Sequence, residues 1–352
     1  MKHVAIVSAA VLGLAGGAVL LVAGPLNPPA GAVSSTYKTL TEVEPRIAIS
    51  STNTPGDTDS VFKITQPGSY YLTGNITGVS GKYGIEIAAS GVTIDLSGFA
   101  LTGVAGSLDG IGSSTSIQNI VILNGSASNW GDKGIDLSAA GAINIRVEGV
   151  ASTSNTGDGI AIGGRCLVKN CVLYLNGGNG LLVGTEAVIE DCLARSNTLD
   201  GIVLSAVGVI SRCTIRSNIG NGIRSVANGY MSISDCVVVE NSLDGIKVNA
   251  GALVTRNNCA FNGLGGTGTG IHVLGSDCRI EANMCLNSDV GIQVDGTGNI
   301  IVKNTCSGNT TNWSVVGGNV ILVVNATTAG AVSGNSGGTA PGSTDPNANF
   351  SY

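Results

Sequence analysis

Three basic side chains recur at a near-constant interval in the second half of the chain, and together they could bind an anion. Arg224, Lys247 and His272 each follow a Gly-Ile pair. Like charges stacked on neighbouring strands repel one another, so their recurrence indicates an anionic ligand such as an acidic polysaccharide or a cell-envelope glycan. The alternative is that these long side chains splay apart into water and bind nothing.

A second set of charged residues lies beside the cysteines. Asp191, Arg212 and Asp235 each precede a cysteine and alternate in sign, which predicts a ladder of exposed ion pairs that adds little stability. Arg195 and Arg216 occupy matching positions, each three residues after a cysteine, Cys192 or Cys213. These arginines could contact a sugar acid, and Arg212 or Arg216 could assist a carboxylate in a lyase or epimerase reaction.

The remaining reactive side chains favour structure over chemistry. Beyond the third residue the only histidine is His272, which excludes most histidine-based acid–base schemes. Thiol metal sites are disfavoured, because the cysteines recur at the repeat spacing with almost no histidine. The cysteine side chains of stacked coils point the same way and not toward each other, so we predict buried free thiols. We assign no catalytic residue, metal site or cofactor. Seven of the nine cysteines form the series Cys171, Cys192, Cys213, Cys236, Cys259, Cys285 and Cys306.

An Asp or Asn stands before the glycine of several Gly-Ile pairs. A row of carboxylates could bind calcium or catalyse, but Asp-Gly and Asn-Gly are common turn dipeptides, so we favour a turn role. Another asparagine follows four of the cysteines by five residues and predicts a ladder of stacked amides. The turn series is Asp158, Asn179, Asp200, Asn221 and Asp244, and the ladder series is Asn176, Asn197, Asn218 and Asn241.

These side chains need a repeating scaffold to position them. Gly-Ile or Gly-Leu recurs between Gly84 and Gly291 at intervals of 21 to 26 residues, with three short runs of β-forming residues in each interval. Such a period is typical of a solenoid in which each repeat is one coil. No helical period follows the N-terminal segment, so we predict an all-β body.

The two ends of the chain differ from the repeats. Residues 1–32 combine a basic start, an apolar stretch and the small residues Ala30-Gly31-Ala32, which predicts a signal peptide and export. A retained membrane anchor is the alternative, since about 20 apolar residues span a bilayer. We predict an N-terminal cap segment at 33–83, the solenoid at 84–325, and a flexible tail rich in Gly, Ser, Pro and Asn at 326–352.

The charge balance limits the partners. The chain has 17 Lys and Arg residues against 23 Asp and Glu residues, for a net charge of −6. Nucleic acid is excluded as a partner because phosphate binding needs a concentrated basic surface. Contact with a membrane is expected only through the signal segment, if that segment is not cleaved.

Particular segments carry a resemblance to a known family. Residues 62–72 resemble the segment that leads into pectin-lyase-like folds, and residues 91–99 resemble its first coil. Over about residues 45–325 the chain resembles right-handed parallel β-helix repeat proteins of the pectin-lyase-like superfamily, particularly secreted members from planctomycete-type bacteria. The resemblance implies an all-β, single-stranded right-handed parallel β-helix of about ten or eleven coils, with three short strands per coil.

The resemblance leaves the activity open, because this fold carries lyases, hydrolases, epimerases and non-catalytic adhesins. The combined Asn-x-Asp, Asp-Asp and Gly-His-Gly set of the hydrolases and the Asp-Pro-His motif of the epimerases are missing. We therefore expect a secreted or cell-surface protein that binds glycan or serves a structural or adhesive role without catalysis. The alternative is a polysaccharide-active enzyme of lyase or epimerase type with its site on the outer face.

Overall fold

Most repeats form one coil of three short strands in the computed structural model, which describes residues 44–263, 266–325, 331–334 and 345–352. The first strand of each coil joins one parallel sheet, sheet 1, and the next two join another, sheet 2. Every regular element in these residues is a strand. The prediction of an all-β parallel solenoid with three short strands per coil is confirmed.

The strands are numbered in chain order. Sheet 1 contains β2 (Ser60–Ile64), β5 (Tyr83–Ile87), β8 (Ile111–Gly112), β10 (Ile135–Leu137), β12 (Ile160–Ile162), β15 (Leu181–Val183), β18 (Ile202–Leu204), β21 (Ile223–Ser225), β24 (Ile246–Val248), β27 (Thr269–Val273), β30 (Val290–Val294), β33 (Thr311–Val315) and β36 (Ala331–Gly334). Sheet 2 contains β1 (Ile47–Ala48), β3 (Gly68–Tyr71), β4 (Ile76–Thr77), β6 (Val92–Asp95), β7 (Ala100–Thr102), β9 (Gln118–Ser128), β11 (Ile143–Thr153), β13 (Gly164–Lys169), β14 (Val172–Tyr174), β16 (Ala187–Glu190), β17 (Leu193–Arg195), β19 (Gly208–Ser211), β20 (Thr214–Arg216), β22 (Met231–Ser234), β23 (Val237–Val239), β25 (Leu253–Thr255), β26 (Asn258–Ala260), β28 (Arg279–Glu281), β29 (Met284–Leu286), β31 (Ile300–Val302), β32 (Thr305–Ser307), β34 (Val320–Ile321), β35 (Val323–Asn325) and β37 (Asn349–Ser351).

The solenoid is longer than predicted at both ends. Sheet 1 starts at β2, inside the predicted cap segment, and reaches β36, inside the predicted tail, so thirteen of its strands lie in the described residues. Residues 46–352 form one compact unit. The predicted signal peptide at 1–32 lies outside the described residues. No helix in the described part of the chain is long and apolar enough to cross a membrane.

The core is a set of columns that run along the solenoid. Alternate residues of each short strand point inward, as in β18, where Ile202 and Leu204 are fully buried. Ile202 pairs with Ile223 of the next coil, so isoleucines stack on isoleucines. Each buried aliphatic side chain contributes roughly 1.5–3 kcal/mol. All nine cysteines are buried with free thiols, and Cys285 pairs in register with Cys306, as the predicted column requires.

The predicted asparagine ladder is confirmed and is buried. The Asn176 side-chain amide donates to Asn197 Oδ1 at 3.0 Å, and the Asn197 amide donates to Asn218 Oδ1 at 2.9 Å. The Asn197 amide also donates to the Leu173 carbonyl. Each amide therefore pairs backbone groups that a tight turn would otherwise leave without partners inside the protein. A second ladder, which was not predicted from the sequence, is formed by Asn257, Asn283, Asn304 and Asn349.

The end of the chain returns to the solenoid. Strand β37 pairs with β32 and β35, and Asn304 donates both its backbone and its side-chain N–H to Asn349 Oδ1. The prediction of a flexible tail at 326–352 is therefore wrong for β36 and β37, and residues 326–330 and 335–344 lie outside the described residues. The prediction relied on composition, but a Gly- and Ser-rich stretch can still contribute an asparagine to the ladder at its end, here Asn349.

Candidate functional site

Sheet 1 carries a column of side chains on its outer face, the outer column. The residue after each Gly-Ile pair pairs in register with its equivalent on the next coil. Arg224 pairs with Lys247, and Lys247 pairs with His272, so the predicted basic stack is present. The column consists of Asp136, Ala161, Leu182, Val203, Arg224, Lys247, His272 and Gln293.

Each of the three basic side chains has a carboxylate partner in the protein. Arg224 Nε bonds to Asp200 Oδ2, and Lys247 Nζ lies 3.0 Å from Asp244 Oδ2. His272 also contacts Asp244 Oδ2, at 3.0 Å. The repulsion expected between these stacked charges is therefore offset by carboxylates within the chain. The role of the three basic side chains in binding a glycan stays a prediction.

Those aspartates belong to the turn series, whose members alternate between Asp and Asn for a physical reason. Asn179 donates its backbone and side-chain N–H to Asp158 Oδ1 at 2.6 and 2.9 Å, and Asn221 does the same to Asp200 Oδ1 at 2.6 and 2.8 Å. An amide can donate to a carboxylate, whereas two stacked carboxylates would repel. The predicted turn role is confirmed. The second oxygens of Asp200 and Asp244 are left to contact the outer column, which the sequence analysis missed.

His272 lies between two carboxylates. Its Nδ1 lies 3.0 Å from Asp244 Oδ2, and its Nε2 lies 2.9 Å from Asp295 Oδ2. Burial lowers the pKa of His272, but the hydrogen bonds to Asp244 and Asp295 outweigh it, so the net pKa is raised. In the imidazolium form, which the raised pKa favours, both ring nitrogens donate to these carboxylates and neither keeps a lone pair with which to accept a proton. Both of its N–H groups are then used within the protein, so His272 is placed neither as a general base nor as a donor to a ligand.

A second titratable cluster lies near the N-terminal end of the same sheet. Asp109 is buried and accepts the Lys133 backbone N–H through Oδ1 at 2.8 Å. Burial, with the nearby charges of Asp132 and Asp136, raises the pKa of Asp109 to about 7. Asp136 bonds to Lys133 Nζ at 2.8 Å and to Ser138, and despite the opposing effect of burial its pKa is lowered. The two carboxyls therefore differ in protonation near neutral pH, which their sequence context does not indicate.

Arg195 and Arg216 lie on strands of sheet 2, and Arg212 lies in the bend between β19 and β20, so none of them is brought to the outer column. Arg212 pairs with Asp191 at 2.8 Å, which confirms one pair of the predicted ladder. The third predicted member, Asp235, pairs with Arg256 at 2.7 Å. Pairs like these between half-exposed side chains contribute little to stability.

Arg195 and Arg216 stack in register on neighbouring strands of sheet 2, as predicted. Arg216 binds both carboxylate oxygens of Glu240 at 2.9 Å, and the Arg195 guanidinium lies 5.9 Å from the centre of the Tyr174 ring. Both arginines thus have partners within the chain. Binding of a sugar acid by Arg195, Arg212 or Arg216 stays a prediction.

One group of acidic side chains has the spacing of a cation site. Carboxylate oxygens of Asp57, Asp59 and Glu86 lie within 4.8 Å of one another. The Lys63 ammonium lies 2.7 Å from Asp57 and 2.8 Å from Glu86, so this group already has a cation. The hydrogen bond from Lys63 holds the pKa of Asp57 well below its usual value. We assign no metal to it.

Comparison with known proteins identifies the architecture. The model of the right-handed beta helix region family matches residues 200–340. The fold is a right-handed parallel β-helix. No curated protein matches the chain.

Three solved structures similar to this β-helix cover most of it. The A-module of the Azotobacter vinelandii mannuronan C-5 epimerase AlgE4 has a TM-score of 0.55 at 15% identity, over 71% of this chain and 82% of that one. The Agl-KA catalytic domain has a TM-score of 0.53 at 13% identity, over 74% and 60%. The Dettilon tailspike protein has a TM-score of 0.50 at 15% identity, over 70% and 58%. This β-helix thus spans less than two thirds of the last two proteins, and such identities show the fold alone.

Proposed function

We propose that this chain is an exported, non-catalytic β-helix that binds a polysaccharide along the outer column of sheet 1. The observation that carries the proposal is the pair of donors Arg224 and Lys247, each fixed by a buried carboxylate. His272 on the next coil contacts the same Asp244 carboxylate as Lys247 and keeps it in place. Fixed polar groups bind a ligand well because little side-chain entropy is lost on binding. Export rests on the predicted signal peptide at residues 1–32.

The spacing of the outer column suits a chain of repeated units. Neighbouring coils lie about 4.8 Å apart, so equivalent side chains recur at that interval along the axis. Lys247, His272 and Gln293 occupy three successive coils. A polysaccharide aligned with the axis would therefore meet a polar group at each step. The mannuronan C-5 epimerase among the similar structures supports a polysaccharide as the class of ligand and nothing finer.

The charge balance favours hydroxyl groups over carboxylates as the part of the ligand that is bound. Arg224, Lys247 and His272 face three carboxylates, so the site carries little net positive charge; these are the buried Asp200 and Asp244, and Asp295. An acidic polysaccharide would gain little electrostatic attraction there. Paired carboxylates and cations offer acceptors and donors side by side, which is what sugar hydroxyls need. We propose a polysaccharide rich in neutral sugars.

The alternative of a polysaccharide-active enzyme draws on one observation. Asp109, with a pKa of about 7, lies near Asp136, whose pKa is lowered, on the same sheet. Two carboxyls with separated pKa values can serve as acid and base in glycan chemistry. Two observations argue against a lyase or epimerase at the outer column. Both nitrogens of His272 bond to carboxylates, and Arg212 and Arg216 lie away from the column, in the bend after β19 and on β20.

The test is binding of the full chain to an array of neutral and acidic polysaccharides. We expect binding to neutral polymers that is lost in the double variant Lys247→Ala with His272→Ala and weakened in Gln293→Ala. Arg256→Ala is the matched control, because it removes an ion-paired cation from sheet 2. Binding that survives both column variants would contradict the proposed site.

A parallel screen addresses catalysis. The wild-type chain is incubated with uronic-acid and neutral polymers, and new reducing ends, unsaturated ends and epimer ratios are measured. We expect no change in any polymer. Product formation that disappears in Asp109→Asn would overturn the non-catalytic proposal and assign acid–base chemistry to Asp109.

A further inference from the structure

One turn next to the outer column presents an exposed aromatic ring. The turn between β18 and β19 has three residues, 205–207, whereas the equivalent turn between β21 and β22 has five, 226–230. The two extra residues lift Tyr230 off the surface, and 84% of the residue is exposed. A ring that is solvent-exposed to this degree gains almost nothing from the core, so packing does not explain its place.

Tyr230 forms one wall of a small open pocket. The cavity has a volume of about 220 Å³, roughly the size of one sugar ring. It is lined by turns from three successive coils, with Asn228 and Tyr230 in the first, Gly251 in the second and Asp277 in the third. Gly251 has a φ of +80°, and a Cβ there would lie 3.5 Å from Tyr230 Cδ1. The glycine thus keeps the floor beside the ring open.

The polar groups of this pocket match a neutral ring that carries hydroxyls. At about 220 Å³ the pocket holds a single ring and no more. Asn228 Oδ1 accepts the Ala250 backbone N–H at 3.4 Å, which leaves its amide N–H groups to donate. Asp277 Oδ2 accepts from Ser276 Oγ at 3.2 Å, which leaves Oδ1 to accept. An aromatic face packs against the apolar face of a pyranose, while the amide and the carboxylate take its hydroxyls.

The pocket borders the outer column. Lys247 precedes the pocket residue Ala250 by three positions, and Arg224 is followed within two residues by the turn that holds Tyr230. A polysaccharide that lies on the outer column can therefore place one unit or branch against the ring. The carboxylate of Asp277 disfavours a sugar acid there, because two negative charges would meet.

We infer that the Tyr230 pocket is a binding subsite for one neutral pyranose, formed by Tyr230, Asn228 and Asp277. The inference rests on the proposed function and deepens it, since it names the kind of unit that is bound. A peptide is the other ligand that an exposed tyrosine could attract. The small pocket, with one large apolar side chain among polar groups, favours the sugar.

The experiment measures binding of the full chain to glucose, mannose and galactose hexasaccharides and to a hexauronate by calorimetry. We expect Tyr230→Ala to weaken binding of a neutral hexasaccharide about tenfold. Tyr230→Phe keeps the ring and should stay within about twofold of wild type. Because Tyr230 is exposed, we expect both variants to fold, and equal melting temperatures check this.

The outcomes separate this inference from the proposed function. Binding of a neutral hexasaccharide that is lost in Lys247→Ala with His272→Ala, yet unchanged in Tyr230→Ala, overturns the subsite alone. Binding of the hexauronate only also overturns it and leaves a polysaccharide site in place. No binding to any of these probes or to the polysaccharide array overturns both. A peptide that binds only when Tyr230 is present, with no hexasaccharide bound, overturns the assignment to a sugar.

Discussion

His272 Nδ1 lies 3.0 Å from Asp244 Oδ2 on the preceding coil, and this contact joins the turn series to the outer column. Asp244 accepts the Thr269 backbone N–H through its other oxygen at 3.0 Å. One buried carboxylate therefore both closes a turn and fixes a surface cation. Asp295 holds the opposite ring nitrogen of His272 from the following coil. Three coils are thus linked through one imidazole.

We predict that His272 titrates above its ordinary pKa of 6.5, because hydrogen bonds to Asp244 and Asp295 outweigh burial. The stability that it contributes is complete below pH 6.5 and is lost as the pH rises through the raised pKa. An NMR titration of the imidazole gives the pKa directly. Asp295→Asn should lower it, and His272→Gln should remove this step from the dependence of melting temperature on pH. A pKa at or below 6.5 would contradict the assignment of a fixed cation.

We predict that Asp109→Asn stabilises the protein above pH 7 and has little effect near pH 4. The pKa of Asp109 is about 7 in the folded protein against 3.8 ordinarily, so its stabilising contribution is complete below about pH 4 and is lost as the pH rises through 7. Asparagine can still accept the Lys133 backbone N–H without the cost of a buried charge. The gain at pH 8 should be about 1–3 kcal/mol by urea unfolding.

The matched control for Asp109 is Asp132→Asn. The Asp132 side chain is more than half exposed, so its neutralisation should change the unfolding free energy little at either pH. Equal effects of the two substitutions at pH 8 would show that net charge, and not the buried site, controls the response.

The features that could be predicted from the sequence are those fixed by the pairing register between coils. The repeat fixes which residues pair between coils. The outer positions of Arg224, Lys247 and His272 therefore follow from counting residues from each Gly-Ile pair. The buried cysteine column and the asparagine ladder follow in the same way. Register does not tell where the second oxygen of a turn aspartate points. The contact of Asp200 with Arg224, 24 residues away, depends on side-chain rotation and needed the structure.

Features that depart from the repeat could not be predicted from the sequence either. Asp109 looks like any other turn aspartate in the sequence, and its raised pKa comes from burial and neighbouring charge. The Tyr230 pocket results from two extra turn residues, which the repeat spacing reports only as a longer interval. The place of Asn349 in a ladder, 45 residues after Asn304, had no periodic signal because the chain between them departs from the repeat.

We predict that Asn197→Ala destabilises the protein by about 2 kcal/mol or more, because it leaves buried groups without partners. Asn197 Oδ1 accepts the Asn176 backbone N–H, and its amide donates to the Leu173 carbonyl. Chemical unfolding monitored by circular dichroism gives the change. Thr198→Ala is the neighbouring exposed control and should stay within about 0.5 kcal/mol of wild type. A small effect of Asn197→Ala would mean that water replaces the ladder.

We predict that Gly222→Ala is strongly destabilising although alanine is small. A Cβ at this position would lie 2.4 Å from Val238 Cγ1, 2.5 Å from the Gly245 carbonyl oxygen and 2.8 Å from Asn241 Nδ2. The backbone and the ladder amide cannot both move aside, so the cost should be about 1–3 kcal/mol or more by urea unfolding. Gly74→Ala is the control, because a Cβ there meets nothing within 4 Å. It should be neutral or stabilise slightly, by reducing the freedom of the unfolded chain. Equal effects at the two positions would show that backbone freedom, and not close approach of the coils, is why glycine stands before each isoleucine.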